Sequence, residues 1–245
     1  NSYIYGGPYS LDRFANGSLP LNQSNFEVKG SLPDPEFQLA FEFTNALKKG
    51  GIEVNEGAKS VRQLEIDTRH KYKDGFTLLI NHKGEKLIDI ITLTNMKSIN
   101  LFAEQFICLV GYHLTGNGTT EEGLNQLEKY WKSKFSIDGL FLKDGSGLSR
   151  SNGISATHFC SILTYVNTSP NSKVFQSSLP VAGKSGTLYS LCKDQPGHGR
   201  IIAKSGTMSR IKSYSGYINS KSGKQIAFSF TVNNFNCSSS TVVDK

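Results

Sequence analysis

The chain has 245 residues, of which 37% are hydrophobic and 19% charged, and its formal net charge is +7. This composition is typical of a globular chain with one or two domains, and it excludes an intrinsically disordered one. No apolar run approaches the roughly 20 residues that a membrane-spanning helix needs, so we expect no transmembrane segment. The basic residues are scattered and belong to no nucleic-acid-binding motif, which argues against a nucleic-acid partner.

The amino-terminal part of the chain predicts loops, short strands and one helix. Residues 1–30 are rich in Gly, Pro, Asn and Ser, and residues 26–28 form a candidate strand. Apolar residues have helical spacing over 36–49, where Asp34 is placed to cap the first amide groups and Pro35 to occupy the first helical position. Further strands are predicted at 61–66 and 76–80.

In the remainder of the chain, helices come first and strands last. Hydrophobic periodicity predicts helices over residues 87–96, 101–112, 121–134 and 156–167. Short apolar or alternating runs separated by Gly and Ser predict an antiparallel meander over 200–204, 213–219 and 225–233. This order indicates an α/β fold in which helices pack against an antiparallel sheet.

Cysteine and histidine residues give no sign of a metal site in the sequence. The four cysteines are too far apart for metal-ligand spacing, and the five histidines are isolated from one another. We therefore expect neither a metal nor another cofactor, and the pairing of the cysteines stays open. The residues concerned are Cys108, Cys160, Cys192 and Cys237, with His70, His82, His113, His158 and His198.

Three short motifs carry residue types suited to acyl transfer. Ser98-Ile99-Asn100 is an S-x-N triplet between two predicted helices, and a Lys-Ser-Gly-Thr sequence begins at Lys204 on the first strand of the meander. S-x-N followed by K-[ST]-G are the second and third motifs of penicillin-binding and serine β-lactamase sites. A second Lys-Ser-Gly-Thr begins at Lys184, but the apolar strand that leads into Lys204 favours the later copy.

A further segment, D-G-S-G-L-S-R, begins at Asp144. Ser146 lies between two glycines there, which suggests a nucleophile on a sharp turn. The outer positions do not fit G-x-S-x-G, however, so we interpret the segment as a tight turn capped by Asp144.

Together these motifs resemble those of the low-molecular-mass class C penicillin-binding proteins, the serine D-alanyl-D-alanine carboxypeptidases/endopeptidases, in their carboxy-terminal portion. The resemblance implies a β-lactamase/penicillin-binding-protein-like α/β fold. Residues 1–80 would be the remnant of an inserted domain, and residues 81–245 the carboxy-terminal part of the catalytic domain. The shared segments run in order through S-L-P-D-P at 31–35, S-I-N-L-F-A-E at 98–104, D-G-S-G-L-S-R at 144–150, G-T-L at 186–188 and A-K-S-G-T at 203–207.

The same resemblance implies a role for each site residue. Ser98 would relay a proton toward the leaving amine, and Lys204 would lower the pKa of its neighbours and attract the substrate carboxylate. The backbone N–H of Thr207 would form half of an oxyanion hole. The predicted catalytic residues are Ser98, Lys204 and Thr207, and the predicted substrate-binding residues are Asn100, Ser205, Gly206 and Thr207.

The first motif of the family, S-x-x-K, has no match before Ser98. Two later matches begin at Ser190 and Ser209. The first lies in a loop-like stretch and the second follows the third motif directly, so we interpret both as chance. We therefore predict that this chain alone lacks the nucleophile and is not acylated by penicillin.

The leading hypothesis is a serine-type D-alanyl-D-alanine carboxypeptidase/endopeptidase of peptidoglycan that uses an acyl-enzyme mechanism. Its partners would be stem peptides ending in D-Ala-D-Ala and, for the complete protein, β-lactams, in a periplasmic or otherwise extracytoplasmic location. The alternative is a non-catalytic peptidoglycan-peptide-binding or scaffold protein of the same fold. An esterase or β-lactamase is a third reading, although we find no glutamate-bearing loop of the class A β-lactamase kind.

Overall fold

A computed structural model describes residues 2–65, 77–78 and 80–243, with the side chain of Glu65 excepted. The chain divides into two compact units, Asn1–His82 and Lys83–Lys245. Each unit is described by itself below. The assignment of the first unit to an inserted domain stays a prediction.

The described residues of the first unit form a two-stranded antiparallel sheet and two helices. Strand β1, Ser2–Tyr5, pairs with β2, Phe14–Gly17, and helix α1 spans Pro35–Lys49. As predicted, the Asp34 side chain caps α1 by accepting a hydrogen bond from the Phe37 N–H at 3.0 Å. Residues 26–28, predicted as a strand, adopt no regular structure.

The predicted strand at 61–66 is wrong, because helix α2, Val61–Glu65, occupies its described part. Ser60 and Gln63 form a capping box: the Ser60 N–H donates to Gln63 Oε1 at 2.9 Å, and the Gln63 N–H donates to Ser60 Oγ at 3.4 Å. These local hydrogen bonds favour a helical turn over an extended run. The strand predicted at 76–80 falls largely outside the described residues.

Arg62 of α2 is tied to the residue that caps α1. Its guanidinium Nη2 lies 2.8 Å from Asp34 Oδ2, and its Cζ lies 4.1 Å from the centroid of the Tyr9 ring. The Arg62 guanidinium and then the Phe37 amide hold the pKa of Asp34 below its ordinary value. The ion pair therefore links the two helices of this unit.

Helices are the most frequent regular elements among the described residues of the second unit. Three of the four predicted here agree with the structure to within two residues at each end, and the helix predicted over 101–112 begins one residue earlier and continues to Thr115. Two further short helices, which the sequence did not signal, follow them. The helices are α3, Leu87–Lys97; α4, Asn100–Thr115; α5, Thr120–Lys132; α6, Ala156–Asn167; α7, Ser172–Ser178; and α8, Ser239–Val243, with a 3₁₀ turn at Gly186–Leu188.

The predicted meander is a three-stranded antiparallel sheet in the order β3-β4-β5. Its strands are β3, Ile201–Met208; β4, Ile211–Asn219; and β5, Gln225–Asn233. Alternating residues place Tyr217 of β4 against α6, where its hydroxyl donates to the Leu163 carbonyl at 2.7 Å. Burial there raises the pKa of Tyr217 to about 12.

The apolar core of this unit lies between that sheet face and helices α6 and α7. Leu163, Leu179 and Tyr217 are its buried members. The predicted α/β fold, an antiparallel sheet packed with helices, is confirmed. Because the core fixes the sheet face, it also fixes which side chains of β3 face the helices and which point to the opposite face.

Candidate active site

Ser98 lies at a sharp junction between α3 and α4. Helix α3 ends at Lys97, and Ser98 adopts the left-handed conformation, with φ 56° and ψ 54°. The N–H groups of Ser98 and Ile99 both donate to the carbonyl of the buried Thr94. A left-handed residue with a side chain costs on the order of 1 kcal/mol, so the surrounding hydrogen bonds hold Ser98 at this corner.

Asn100 is the first residue of α4, two positions beyond Ser98. The side chains of Ser98 and Asn100 are both exposed. An amide side chain at this position has a donor and an acceptor to offer at once, which is what the backbone of a peptide ligand requires. The junction therefore presents a hydroxyl and an amide side by side to solvent.

Strand β3 brings Lys204 to Ser98, although the two residues are 106 positions apart in the sequence. Lys204 Nζ donates to Ser98 Oγ at 2.9 Å and to the Ser205 carbonyl at 2.6 Å. Serine of the S-x-N motif and lysine of the later K-S-G motif thus meet directly. A hydroxyl next to an ammonium group is placed to pass a proton along.

Burial lowers the pKa of Lys204, and the positive charge of Lys212 lowers it further. Burial also lowers the pKa of Lys212, which lies on the neighbouring strand β4. A lysine with a lowered pKa gives up its proton more readily than an ordinary lysine. The electrostatics of this pair therefore suit proton transfer near Ser98.

The Ser205 and Thr207 side chains continue the site along β3. Ser205 Oγ donates to Thr187 Oγ1 at 2.8 Å, and Thr207 Oγ1 accepts from Lys212 Nζ at 2.7 Å. Gly206 lies between them, and a Cβ there would meet Ser213 Oγ at 2.5 Å. The third motif thus places two hydroxyls in a row beside Lys204.

The backbone of β3 adds amide donors, because β3 is an outer strand of the three-stranded sheet. The Ala203 N–H points away from β4 and donates to the Pro180 carbonyl at 2.9 Å. Successive N–H groups of a strand point to opposite sides, so those of Ser205 and Thr207 point to the same outer edge. This is the orientation that the predicted oxyanion-hole role of Thr207 requires.

The D-G-S-G-L-S-R segment is a turn capped by Asp144, as predicted, and the structure shows that it also braces α4. Glu104 of α4 accepts from the Gly145 and Ser146 N–H groups at 3.0 and 2.9 Å. Asp144 accepts from the Gly147 N–H at 2.8 Å, and Arg150 Nη2 donates to the Ser209 carbonyl at 3.3 Å. The segment therefore ties the helix that begins at Asn100 to the end of β3.

Neither downstream S-x-x-K match forms the helix that the first motif of the family requires. Ser190 lies in a stretch of turns, and Lys193 there stands 5.9 Å from the Tyr189 ring centroid. Ser209 lies in the turn between β3 and β4, and Lys212 donates to Thr207 rather than to Ser209. The interpretation of both matches as chance is consistent with these positions.

Two polar residues of this region were not singled out from the sequence. Thr187 belongs to the G-T-L segment and receives the Ser205 hydrogen bond, and Lys212 contacts Thr207 across the hairpin. The hairpin register places Thr207 opposite Lys212, and the contact between them could have been predicted from it. No cluster of His, Cys, Asp and Glu fit for a metal occurs within the described ranges, and no helix in them could cross a membrane.

Comparison with known proteins identifies the family. The chain matches the D-Ala-D-Ala carboxypeptidase 3 (S13) family over residues 11–244. The chain belongs to this family. The predicted resemblance to the class C penicillin-binding proteins, the serine D-alanyl-D-alanine carboxypeptidases/endopeptidases, is thereby confirmed.

Individual relatives agree with this assignment. The S13 chain is 31% identical over 242 residues to a D-alanyl-D-alanine carboxypeptidase of Actinomadura sp. (strain R39), covering 96% of this chain and 43% of that protein. It is 29% identical over 244 residues to a penicillin-sensitive carboxypeptidase A of Dictyostelium discoideum, covering 94% and 44%. The chain therefore spans less than half the length of these curated relatives.

The fold also matches a solved structure. Penicillin binding protein 4 from Haemophilus influenzae superposes with a TM-score of 0.70 and 21% identity, covering 94% of this chain and 47% of that chain. At this identity the likeness concerns the fold. It agrees with the β-lactamase/penicillin-binding-protein-like architecture predicted for the S13 chain.

Proposed function

We propose that this chain is the part of a serine-type D-alanyl-D-alanine carboxypeptidase/endopeptidase that carries the proton relay and the carboxylate-binding residues. The observation that carries the proposal is the 2.9 Å hydrogen bond from Lys204 Nζ to Ser98 Oγ. Membership of the S13 family supports the reaction class. The substrate would be a peptidoglycan stem peptide that ends in D-Ala-D-Ala.

The reaction is an acyl transfer followed by hydrolysis. A nucleophilic serine, for which the sequence before Ser98 holds no S-x-x-K motif, attacks the carbonyl of the penultimate D-alanine. The C–N bond breaks, and the leaving amine takes up a proton through Ser98, which Lys204 polarises. Water then attacks the acyl-enzyme ester and releases the shortened peptide.

Strand β3 and the start of α4 would hold the substrate. Asn100 would bind a backbone amide of the peptide, and the Ser205 and Thr207 hydroxyls would bind its terminal carboxylate. Because Gly206 has no side chain, the peptide can approach the backbone of β3 closely at this position. The Thr207 N–H would stabilise the oxyanion, a contact typically worth about 3 kcal/mol in the transition state.

Equilibrium binding of acetyl-D-Ala-D-Ala and of acetyl-L-Ala-L-Ala to this chain, followed by NMR titration, tests the proposal. We expect the D,D peptide to bind at least about tenfold more tightly, because a site of this class is built for that stereochemistry. Equal binding of the two peptides, or no binding of either, would contradict the proposal.

The chain by itself is not expected to react covalently with penicillin. Incubation with a fluorescent penicillin, followed by denaturing electrophoresis, should leave it unlabelled. For the complete protein we propose acylation by β-lactams and a location outside the cytoplasmic membrane, where peptidoglycan lies. A label that survives denaturation and depends on Ser190 or Ser209 would overturn the reading of those serines.

A non-catalytic peptide-binding protein of the same fold is the second candidate. The binding experiment above applies to both candidates, and D-alanine release by the complete protein separates them.

A further inference from the structure

The three-stranded sheet carries positive charge that no nearby carboxylate in the sequence balances. Residues 195–243 contain six Lys and Arg residues and neither Asp nor Glu. The two ion pairs seen among the described residues both lie in the first unit. A segment that carries charge of one sign attracts anions. The cations are Arg200, Lys204, Arg210, Lys212, Lys221 and Lys224.

Lys212 differs from most of these cations because it is held within the site. It is only partly exposed, and the hairpin register places it directly opposite Thr207. Its Nζ donates to Thr207 Oγ1 at 2.7 Å and stands 5.2 Å from the centroid of the Tyr214 ring. These contacts fix the ammonium group at the end of the Ser205–Thr207 row.

Lys204 has fewer free N–H donors to offer an anion than Lys212 has. An ammonium group has three N–H donors, and Lys204 uses two of them on Ser98 Oγ and the Ser205 carbonyl. Lys212 uses one on a hydroxyl that has a free proton of its own to donate. The positive charge of Lys212 also acts on Lys204, so the two groups share one electrostatic environment.

We propose that Lys212 is a second cationic anchor for the terminal carboxylate of the peptide, acting together with Thr207, and that it determines the preference for a free carboxylate over an uncharged end. In this arrangement Lys204 polarises Ser98, and Lys212 neutralises the carboxylate. The inference rests on the proposed function, because it takes the ligand to be a peptide that ends at β3.

The test measures binding of acetyl-D-Ala-D-Ala and of its carboxy-terminal amide to the 245-residue chain and to the variants Lys212→Met and Lys224→Met. Lys224 is the matched control, an exposed lysine immediately before β5. We expect the acid to bind the unaltered chain about tenfold more tightly than the amide, as a charge-assisted contact predicts. Lys212→Met should remove that preference by weakening acid binding alone, and Lys224→Met should keep it.

An unchanged preference in Lys212→Met would overturn the inference, and the proposed function would stand as long as the D,D peptide still binds better than the L,L peptide. Loss of the D,D preference in the unaltered chain would instead remove the proposed function.

A second measurement does not depend on folding of the neutral variant. In the unaltered chain, the Lys212 side-chain Cε resonance, assigned with Lys212→Arg, should shift with the acid and not with the amide; equal shifts with both ligands would overturn the inference.

Discussion

Two copies of Lys-Ser-Gly-Thr lie 20 positions apart, at 184–187 and 204–207, and the structure puts them in different settings. The first copy enters a 3₁₀ turn, its lysine is exposed, and its serine accepts the Val181 N–H at 3.0 Å. The second lies on β3, where its lysine is partly buried and hydrogen-bonded to Ser98.

The comparison shows that the tetrapeptide alone does not make the site. Lys204 has an extended backbone and a partner serine at the α3–α4 corner, and burial together with the charge of Lys212 lowers its pKa. Lys184 is followed by the same three residues, but it is exposed and leads into a 3₁₀ turn. The two copies also meet, because Thr187 of the first accepts the Ser205 hydrogen bond of the second.

Replacing the two lysines separately should give the largest contrast. Lys204→Met is expected to weaken binding of acetyl-D-Ala-D-Ala about thirtyfold or more, because it removes a partly buried charge that contacts the ligand site. Lys184→Met should change it by about threefold at most, since Lys184 is exposed. NMR titration of both variants measures this, and equal losses would break the distinction between the copies.

The two glycines should differ in their effect on stability. Gly186 has φ +56°, and a Cβ there would meet Met96 Sδ and Pro180 Cγ at 3.0 Å. Gly186→Ala should therefore lower the free energy of unfolding by about 2 kcal/mol. Gly206→Ala should cost less than about 1 kcal/mol, because the Ser213 hydroxyl can rotate away. Urea denaturation checks this, and a larger cost at Gly206 would contradict it.

Replacement of Ser205 should affect ligand binding, whereas replacement of Ser185 should affect stability. Ser205→Ala is expected to weaken binding of the D,D peptide about tenfold, as loss of a hydrogen bond to a carboxylate predicts, with little change in stability. Ser185→Ala removes the acceptor for the Val181 N–H and should lower stability by about 1 kcal/mol without affecting binding. A binding loss in Ser185→Ala that matches the loss in Ser205→Ala would contradict this division of roles.

The smallest expected effect concerns the charge on Lys204. Lys212→Met removes a repelling charge, so the pKa of Lys204 should rise toward its ordinary value while burial still holds it lower. Because a lysine with a lowered folded-state pKa binds fewer protons than the unfolded chain, stability should rise with pH below about 10.5. That slope should be shallower in Lys212→Met. Side-chain NMR of labelled lysine and urea denaturation across alkaline pH measure both quantities, and an unchanged Lys204 pKa would contradict the coupling.

Local signals predicted much of the fold. The Asp34 cap and Pro35 marked the start of α1, and hydrophobic periodicity alone gave α6 with the bounds Ala156–Asn167. The failure at α2 also has a local cause, because the Ser60–Gln63 capping box outweighed the β-like appearance of the run that follows. Alternation predicted the three strands, although β3 and β4 are longer than expected.

The site required information that local patterns do not hold. The contact between Ser98 and Lys204 joins residues 106 positions apart, and only motif order and family resemblance pointed to it. The contact of Lys212 with Thr207 was not predicted, because it depends on the hairpin register. That register follows from a tight turn at Arg210, which has φ 64° without being glycine and is held by hydrogen bonds to the Asn234 and Phe235 carbonyls.

The most direct test determines which copy of Lys-Ser-Gly-Thr contacts the bound peptide. Intermolecular NOEs between acetyl-D-Ala-D-Ala and the chain, with labelled serine and lysine side chains, provide it. The account predicts contacts from the peptide methyl groups to the side chains of Ser98 and Lys204 and none to Lys184. Contacts to Lys184 without any to Lys204 would contradict the claim that Ser98 and Lys204 form the ligand site.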